Sequence, residues 1–182
     1  MAKIIVPLAR GFEEVEAVTV IDLLRRADIE VVVAGLTETD VMGAHGLIIQ
    51  ADQRFKNINW RVFDGIVLPG GMPGAENLRQ DKNIISLVQE FDARDKLVAA
   101  ICAAPIVLKG AGILDGKKLT SYPEFADEFV RYDYLEDPVV IDDNIITSRG
   151  PGTAMNFALS IIKYLKGEEE RVKHEENLLY KL

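Results

Sequence analysis

Compact aliphatic runs recur along the chain and alternate with stretches whose apolar residues fall three and four apart. "KIIVPLA" (3–9) is short and β-branched, which predicts a buried strand. Residues 15–27, "VEAVTVIDLLRRA", carry an apolar stripe through Val18, Ile21 and Leu24, with Arg25 and Arg26 near the C-terminal end, and predict a helix. "IEVVVAG" (29–35) follows as a second strand, so the first 35 residues read as a βαβ unit with parallel strands. The turn-rich segment 42–59 predicts a small hairpin, and "DGIVLPGG" (64–71) a buried strand ending in a glycine pair. Helices are expected over 83–95, 105–112 and 152–167, the last stopped by Gly167, with a shorter one over 124–132. Further strands are expected over 97–101 and 118–122, with a hairpin over 139–148 turning at Asp143-Asn144. No repeat, linker or low-complexity segment interrupts this alternation. It predicts an α/β sandwich with a mainly parallel sheet.

The length of 182 residues fits one domain, residues 1–182, with a substantial core, and 48% hydrophobic residues exclude a disordered class. A net charge of −8 without a long Lys/Arg block argues against nucleic acid or an anionic membrane as a partner. No apolar run is long enough to span a bilayer, and "MAKIIVPLAR" does not read as a signal peptide. One cysteine forms no internal disulfide, which fits a reducing cytoplasm. His45 and His174 lack metal-ligand spacing, so no metal site is expected.

In parallel sheets, ligands bind outside the carboxyl ends of the strands. That rule selects three loops: 10–16, with Glu13, Glu14 and Glu16; the Gly-rich 69–75; and 102–105, with Cys102. Around Cys102, "LVAAICAAPIVL" (97–108) has the small residues Ala100 and Ala104 two positions to either side, and Pro105 at a suitable first helical position. A strand-to-helix elbow there would expose the thiol beside a helix start and lower its pKa below the free value of about 8.5. A small hydrophobe packed at a strand end fits the same local pattern, and both readings stand. Glu13 and Glu14 read as solvated acids of a loop and first helical turn. Glu16 is distinct if the helix aims it at the sheet edge, where apolar surroundings would keep it protonated and able to donate a hydrogen bond to a thiolate. "LPGGMPGA" (68–75) is either an ordinary turn or a set of backbone N–H donors for an oxyanion. It is not a phosphate loop, since no Gly-Lys-Ser/Thr follows.

Four segments in order, "GFEEVEAVTVIDLLRRA", "DGIVLPGGMPGAENL", "AAICAAPIVLKGAGIL" and "TSRGPGTAMNFALSII", resemble the ThiJ/PfpI superfamily and, within it, the DJ-one-like branch of Parkinson-associated proteins. The resemblance implies a flavodoxin-like three-layer sandwich and a homodimer. It implies that Cys102 is the nucleophile and Glu16 its carboxyl partner, with Gly71 and Ala103 N–H groups as oxyanion donors and Gly70 permitting the turn. Two departures matter. Tyr122 stands where the family often supplies a histidine, and a phenol is a poor base near neutrality. Ala103 replaces the histidine that PfpI-type members carry after the cysteine, which disfavours proteolysis. His45 stands where relatives can carry an anion-binding arginine, and is either part of the pocket mouth or a surface turn residue. In the charged tail 168–182, Leu178, Leu179 and Tyr180 are expected to cover the site in part.

The branch is linked to conversion of methylglyoxal to lactate without glutathione, and to removal of early glycation adducts. The expectation is therefore a cysteine-dependent glyoxalase or deglycase acting on small reactive carbonyls, with no cofactor. The rival is a non-catalytic dimer, a redox sensor or chaperone using an oxidisable cysteine.

Overall fold

The computed structural model describes residues 1–180. In chain order, β1 (Lys3–Leu8), α1 (Glu14–Arg26) and β2 (Glu30–Gly35) form the expected βαβ unit, with β1 and β2 parallel from Lys3–Glu30 to Leu8–Gly35. A hairpin of β3 (Asp40–Met42) and β4 (Ile48–Gln50), the short β5 (Gln53–Arg54) and β6 (Gly65–Leu68) follow. Next come α2 (Gly74–Gln80), α3 (Lys82–Asp92), β7 (Leu97–Ile101) and α4 (Pro105–Ala111). The last third holds β8 (Lys118–Leu119), β9 (Asp133–Tyr134), β10 (Val139–Asp142), β11 (Ile145–Ser148), α5 (Ala154–Lys166) and α6 (Glu168–Asn177).

The central sheet runs β10-β11-β7-β6-β1-β2-β5, and only the β10–β11 edge pair is antiparallel. Its parallel core, β2-β1-β6-β7-β11, is the flavodoxin-like order. Alternation along β1 sends Ile4, Val6 and Leu8 to one face, against α1 and α5, and Ile5 to the other, with residues of α2, α3 and α4. Three layers result. The chain order reverses between β1 and β6, so the loops leaving those strands diverge and open a crevice at their carboxyl ends. No helix of the described residues is long and apolar enough to cross a membrane.

Several local expectations change. The α1 stripe is rotated: Ala17, Val20, Ile21, Leu23 and Leu24 are buried, whereas Val18 is 49% and Val15 52% exposed. Apolar residues nearly encircle this helix, so periodicity did not single out the core face. Helix α2 has weak apolar signal, with Leu78 alone among large aliphatics, and Asp81 divides it from α3 by accepting hydrogen bonds from the Asn83 and Ile84 N–H groups. The strand expected at 118–122 is only Lys118–Leu119, paired with β9 outside the main sheet, and residues Pro123–Phe129 form 3-10 turns instead of an α-helix. The tail packs through Leu178 and Tyr180 on the α1/α5 side, with the Tyr180 hydroxyl donating to Asn156, but Leu179 is 92% exposed and covers nothing. Lys181 and Leu182 lie outside the described residues.

Candidate active site

Strand β7 is buried throughout and ends at Ile101; α4 starts with Pro105 at its first position. The chain turns between them with Cys102 at φ 64°, a left-handed conformation that is costly for a residue with a Cβ. Main-chain bonds on both sides hold it there. Cys102 N–H donates to Ser148 O at 2.9 Å, and Cys102 O accepts from Tyr122 N–H at 2.9 Å. Buried Ala100, Ala103 and Ala104 leave room for so sharp a turn. The thiol remains partly accessible. The elbow reading of "AICAA" therefore holds over the core-filler one.

The crevice brings the three selected loops together. Gly70 N–H donates to Glu16 Oε2 at 2.8 Å, and Gly70 O accepts from Glu13 N–H at 2.9 Å. In a trans peptide the carbonyl and the following N–H point opposite ways. Fixing Gly70 O toward α1 thus turns Gly71 N–H the other way, to the Cys102 sulfur, which also faces Ala103 N–H. Glycine is required at both positions of the pair. A Cβ on Gly70 would sit 2.6 Å from Cys102 Cβ and 2.8 Å from Glu16 Oε2. Gly71 has φ +86°, and its Cβ would lie 2.3 Å from Glu13 N.

Glu16 is fully buried, its Oε1 has no hydrogen-bond partner, and its carboxyl interacts with the neighbouring Cys102 thiol. Burial raises its pKa to about 7, against the pull of the Gly70 and Cys102 hydrogen bonds. Burial also pushes the Cys102 thiol up, the Glu16 charge and hydrogen bond add to this, and the Ala103 and Gly71 N–H groups pull it down. The expected depression by the helix start is overridden, because α4 begins three residues on and the sulfur is desolvated. Two charges do not coexist in this site. While Glu16 is ionised the thiol keeps its proton; when the proton moves to Glu16, the charge passes to a sulfur that two N–H groups face. The pair titrates as a unit.

Tyr122 and His45 take different positions. Tyr122 is fixed to the elbow by its main chain, and its ring lies over Gly150, whose added Cβ would be 3.1 Å from Cδ2. His45 sits in the turn of the β3–β4 hairpin, with its side chain 70% exposed but anchored: Nδ1 lies 2.9 Å from Glu14 Oε2 and 3.5 Å from Glu13 Oε2. Glu14 is not the solvated acid expected. It is 3% exposed, and Oε1 accepts from the N–H groups of His45 (2.7 Å) and Leu47 (3.3 Å). Burial raises its pKa, but the hydrogen bonds, led by that of the His45 ring, win and hold it below the ordinary value. The same bond, with the charges of Glu13 and Glu14, raises the His45 pKa. Sequence spacing missed this group because the hairpin brings His45 from 31 positions away. His174 is remote from the site by its bonds: its ring nitrogens meet Glu170 O and Arg26 O, tying α6 to the end of α1.

Comparison with known proteins gives one answer. The model of the DJ-1/PfpI family matches residues 2–164. The oxidized DJ-1 of Toxoplasma gondii superposes with a TM-score of 0.96 at 40% identity, covering 100% of both chains. The Caenorhabditis elegans glutathione-independent glyoxalase DJR-1.2 is 38% identical over 160 residues, 87% of this chain and 85% of that one. Protein DJ-1 homolog B of Arabidopsis thaliana is 41% identical over 94% of this chain, which spans only 40% of that longer protein. With its sheet order, its cysteine elbow and these similarities, the chain belongs to the DJ-1/PfpI family.

Proposed function

We propose that this protein is a cysteine-dependent, cofactor-independent glyoxalase that converts methylglyoxal or related α-oxoaldehydes, and their early adducts, into 2-hydroxy acids. The observation that carries the reading is the convergence of the Cys102 thiol, the Glu16 carboxyl and the Gly71 and Ala103 N–H groups at the carboxyl ends of β1, β6 and β7. The Cys102 sulfur adds to the aldehyde carbon, the carbonyl pair moves to oxygen, and the thiol proton passes by way of Glu16 to that oxygen, giving a hemithioacetal. The two N–H groups stabilise the oxyanion as it forms. The Glu16 carboxylate then takes the proton from the former aldehyde carbon and delivers one to the adjacent carbon, while the hydroxyl proton passes from the first oxygen to the neighbouring carbonyl oxygen, leaving a thioester of the hydroxy acid. Water hydrolyses the thioester and restores the thiol. The sum is addition of one water, with no external oxidant or reductant.

The name of the C. elegans relative supports this activity class. The test is lactate formation from methylglyoxal in buffer free of glutathione. Sustained multiple turnovers are expected. Their absence would leave the second reading, a redox sensor, which the partly accessible sulfur and the oxidized state of the T. gondii relative favour.

The site is proposed to work in a homodimer. Val15, Val18 and Ile48 are exposed, and a shallow groove is lined by Val18, Ile21, Val33, Ile48 and Ile49 together with Asp22, Arg25, Gln50 and Asp52. An apolar patch rimmed by polar groups on an acidic chain fits an isologous contact with a second copy. Light scattering at micromolar concentration is expected to give twice the chain mass of 20.2 kDa, and Val18→Asp the monomer mass. A wild-type monomer would contradict the proposal.

A further inference from the structure

Among the described residues, Glu13, Glu14 and His45 place one ligand atom each within 4.8 Å of one another. The enzymatic reading gives none of these side chains a task. We propose that they form a binding site for a borderline divalent cation of the Zn²⁺ or Co²⁺ type, beside the Gly70–Gly71 loop.

Two of the three ligand spacings are those of a coordination sphere. With metal–nitrogen and metal–oxygen bonds of about 2.0–2.2 Å, neighbouring ligands of a tetrahedral ion stand about 3.3 Å apart. His45 Nδ1 lies 2.9 Å from Glu14 Oε2 and 3.5 Å from Glu13 Oε2, on either side of that value. An entering cation would be ligated by Nδ1, with the ring keeping its proton on Nε2.

The supporting contacts are also in place. Glu14 Oε1 is engaged by the His45 and Leu47 N–H groups, so the carboxylate is oriented with Oε2 turned to the imidazole. Ligands held in this way lose little freedom when the ion enters. Glu13 is fixed at its main chain by the bond to Gly70 O. The exposure of the His45 side chain, 70%, provides an entry path and room for water to complete the sphere. Charge is balanced as well: two carboxylates and a neutral imidazole match a dication. A nitrogen ligand selects Zn²⁺, Co²⁺, Ni²⁺ or Cu²⁺ over Mg²⁺ or Ca²⁺. His174, the other histidine, offers no alternative, since both its ring nitrogens are engaged in the interior.

The test uses the full chain carrying Cys102→Ser, which removes the thiol as a competing ligand. Calorimetric titration with ZnCl₂ is expected to show saturable binding at one ion per chain. Co²⁺ should give the visible absorption of a four-coordinate N/O site. His45→Ala keeps the main-chain N–H that holds Glu14, so its fold is retained; it should weaken binding at least about tenfold, as should Glu13→Gln. No saturable binding, or binding unchanged in a folded His45→Ala variant, would overturn the proposal. Neither readout depends on turnover, so its failure is distinct from failure of the glyoxalase reading.

Discussion

Glu16→Gln is expected to lower glyoxalase turnover by about 10²–10⁴-fold while making the protein more stable above neutral pH. Both effects follow from one buried carboxyl. Glutamine keeps the volume and leaves an acceptor for Gly70 N–H, so the glycine loop and the elbow stay in place. It has no basic site, and the proton transfers at sulfur and carbon lose their carrier. On stability, native Glu16 holds its proton up to about pH 7, whereas the unfolded carboxyl releases it near 4.5. Between these values the native state binds more protons, so stability falls as pH rises. The contribution is fully present below about 4.5 and lost above about 7, and amounts to about 3 kcal/mol. Urea denaturation at pH 5 and pH 8 should show that decline in the wild type and not in Glu16→Gln. A glutamine variant with wild-type turnover would remove Glu16 from the reaction.

Gly71→Ala is expected to reduce kcat/KM by about 10²–10³-fold, the usual cost of losing one oxyanion donor. The added Cβ meets Glu13 N at 2.3 Å, Gly11 O at 2.6 Å and the Phe12 carbonyl carbon at 2.6 Å, all main-chain atoms that cannot swing aside. Relief requires the 69–73 loop to move, and Gly71 N–H moves with it away from the sulfur. A stability loss of about 1–3 kcal/mol should accompany the change. Gly112→Ala separates the two effects. Gly112 has φ +72° at the end of α4, and nothing lies within 4 Å of an added Cβ there. That variant should share the backbone strain and keep its turnover. Equal activity losses in the two variants would mean that general destabilisation, not the donor, was being measured.

Much of the fold was legible because strands buried on both faces, such as Ile4–Leu8 and Leu97–Ile101, write themselves as unbroken apolar runs. Cys102 was legible because an elbow needs small neighbours, and Ala100, Ala103 and Ala104 supply them. Gly70 and Gly71 were visible as a turn; that the turn serves Glu16 at one amide and Cys102 at the next became clear only when Glu13 was seen to fix the peptide between them. Val18 misled because a helix with apolar residues beyond its core face has no single period to read. Glu14 misled because acids near a helix start are normally solvated, and its partner arrives on a hairpin with no local signal in α1. The low thiol pKa expected from the helix start failed for a physical reason: desolvation and an adjacent carboxylate outweigh two amide dipoles.

Cys102 is the only cysteine in the chain, so one measurement addresses the nucleophile without interference. Portions of the wild-type protein are treated with graded, substoichiometric iodoacetamide, the alkylated fraction is read by intact-protein mass spectrometry, and lactate formation from methylglyoxal is measured in each. The account predicts activity falling in direct proportion to the alkylated fraction and vanishing when alkylation is complete. Lactate formation that persists in fully alkylated protein would show that the Cys102 thiol is not the group that attacks the substrate.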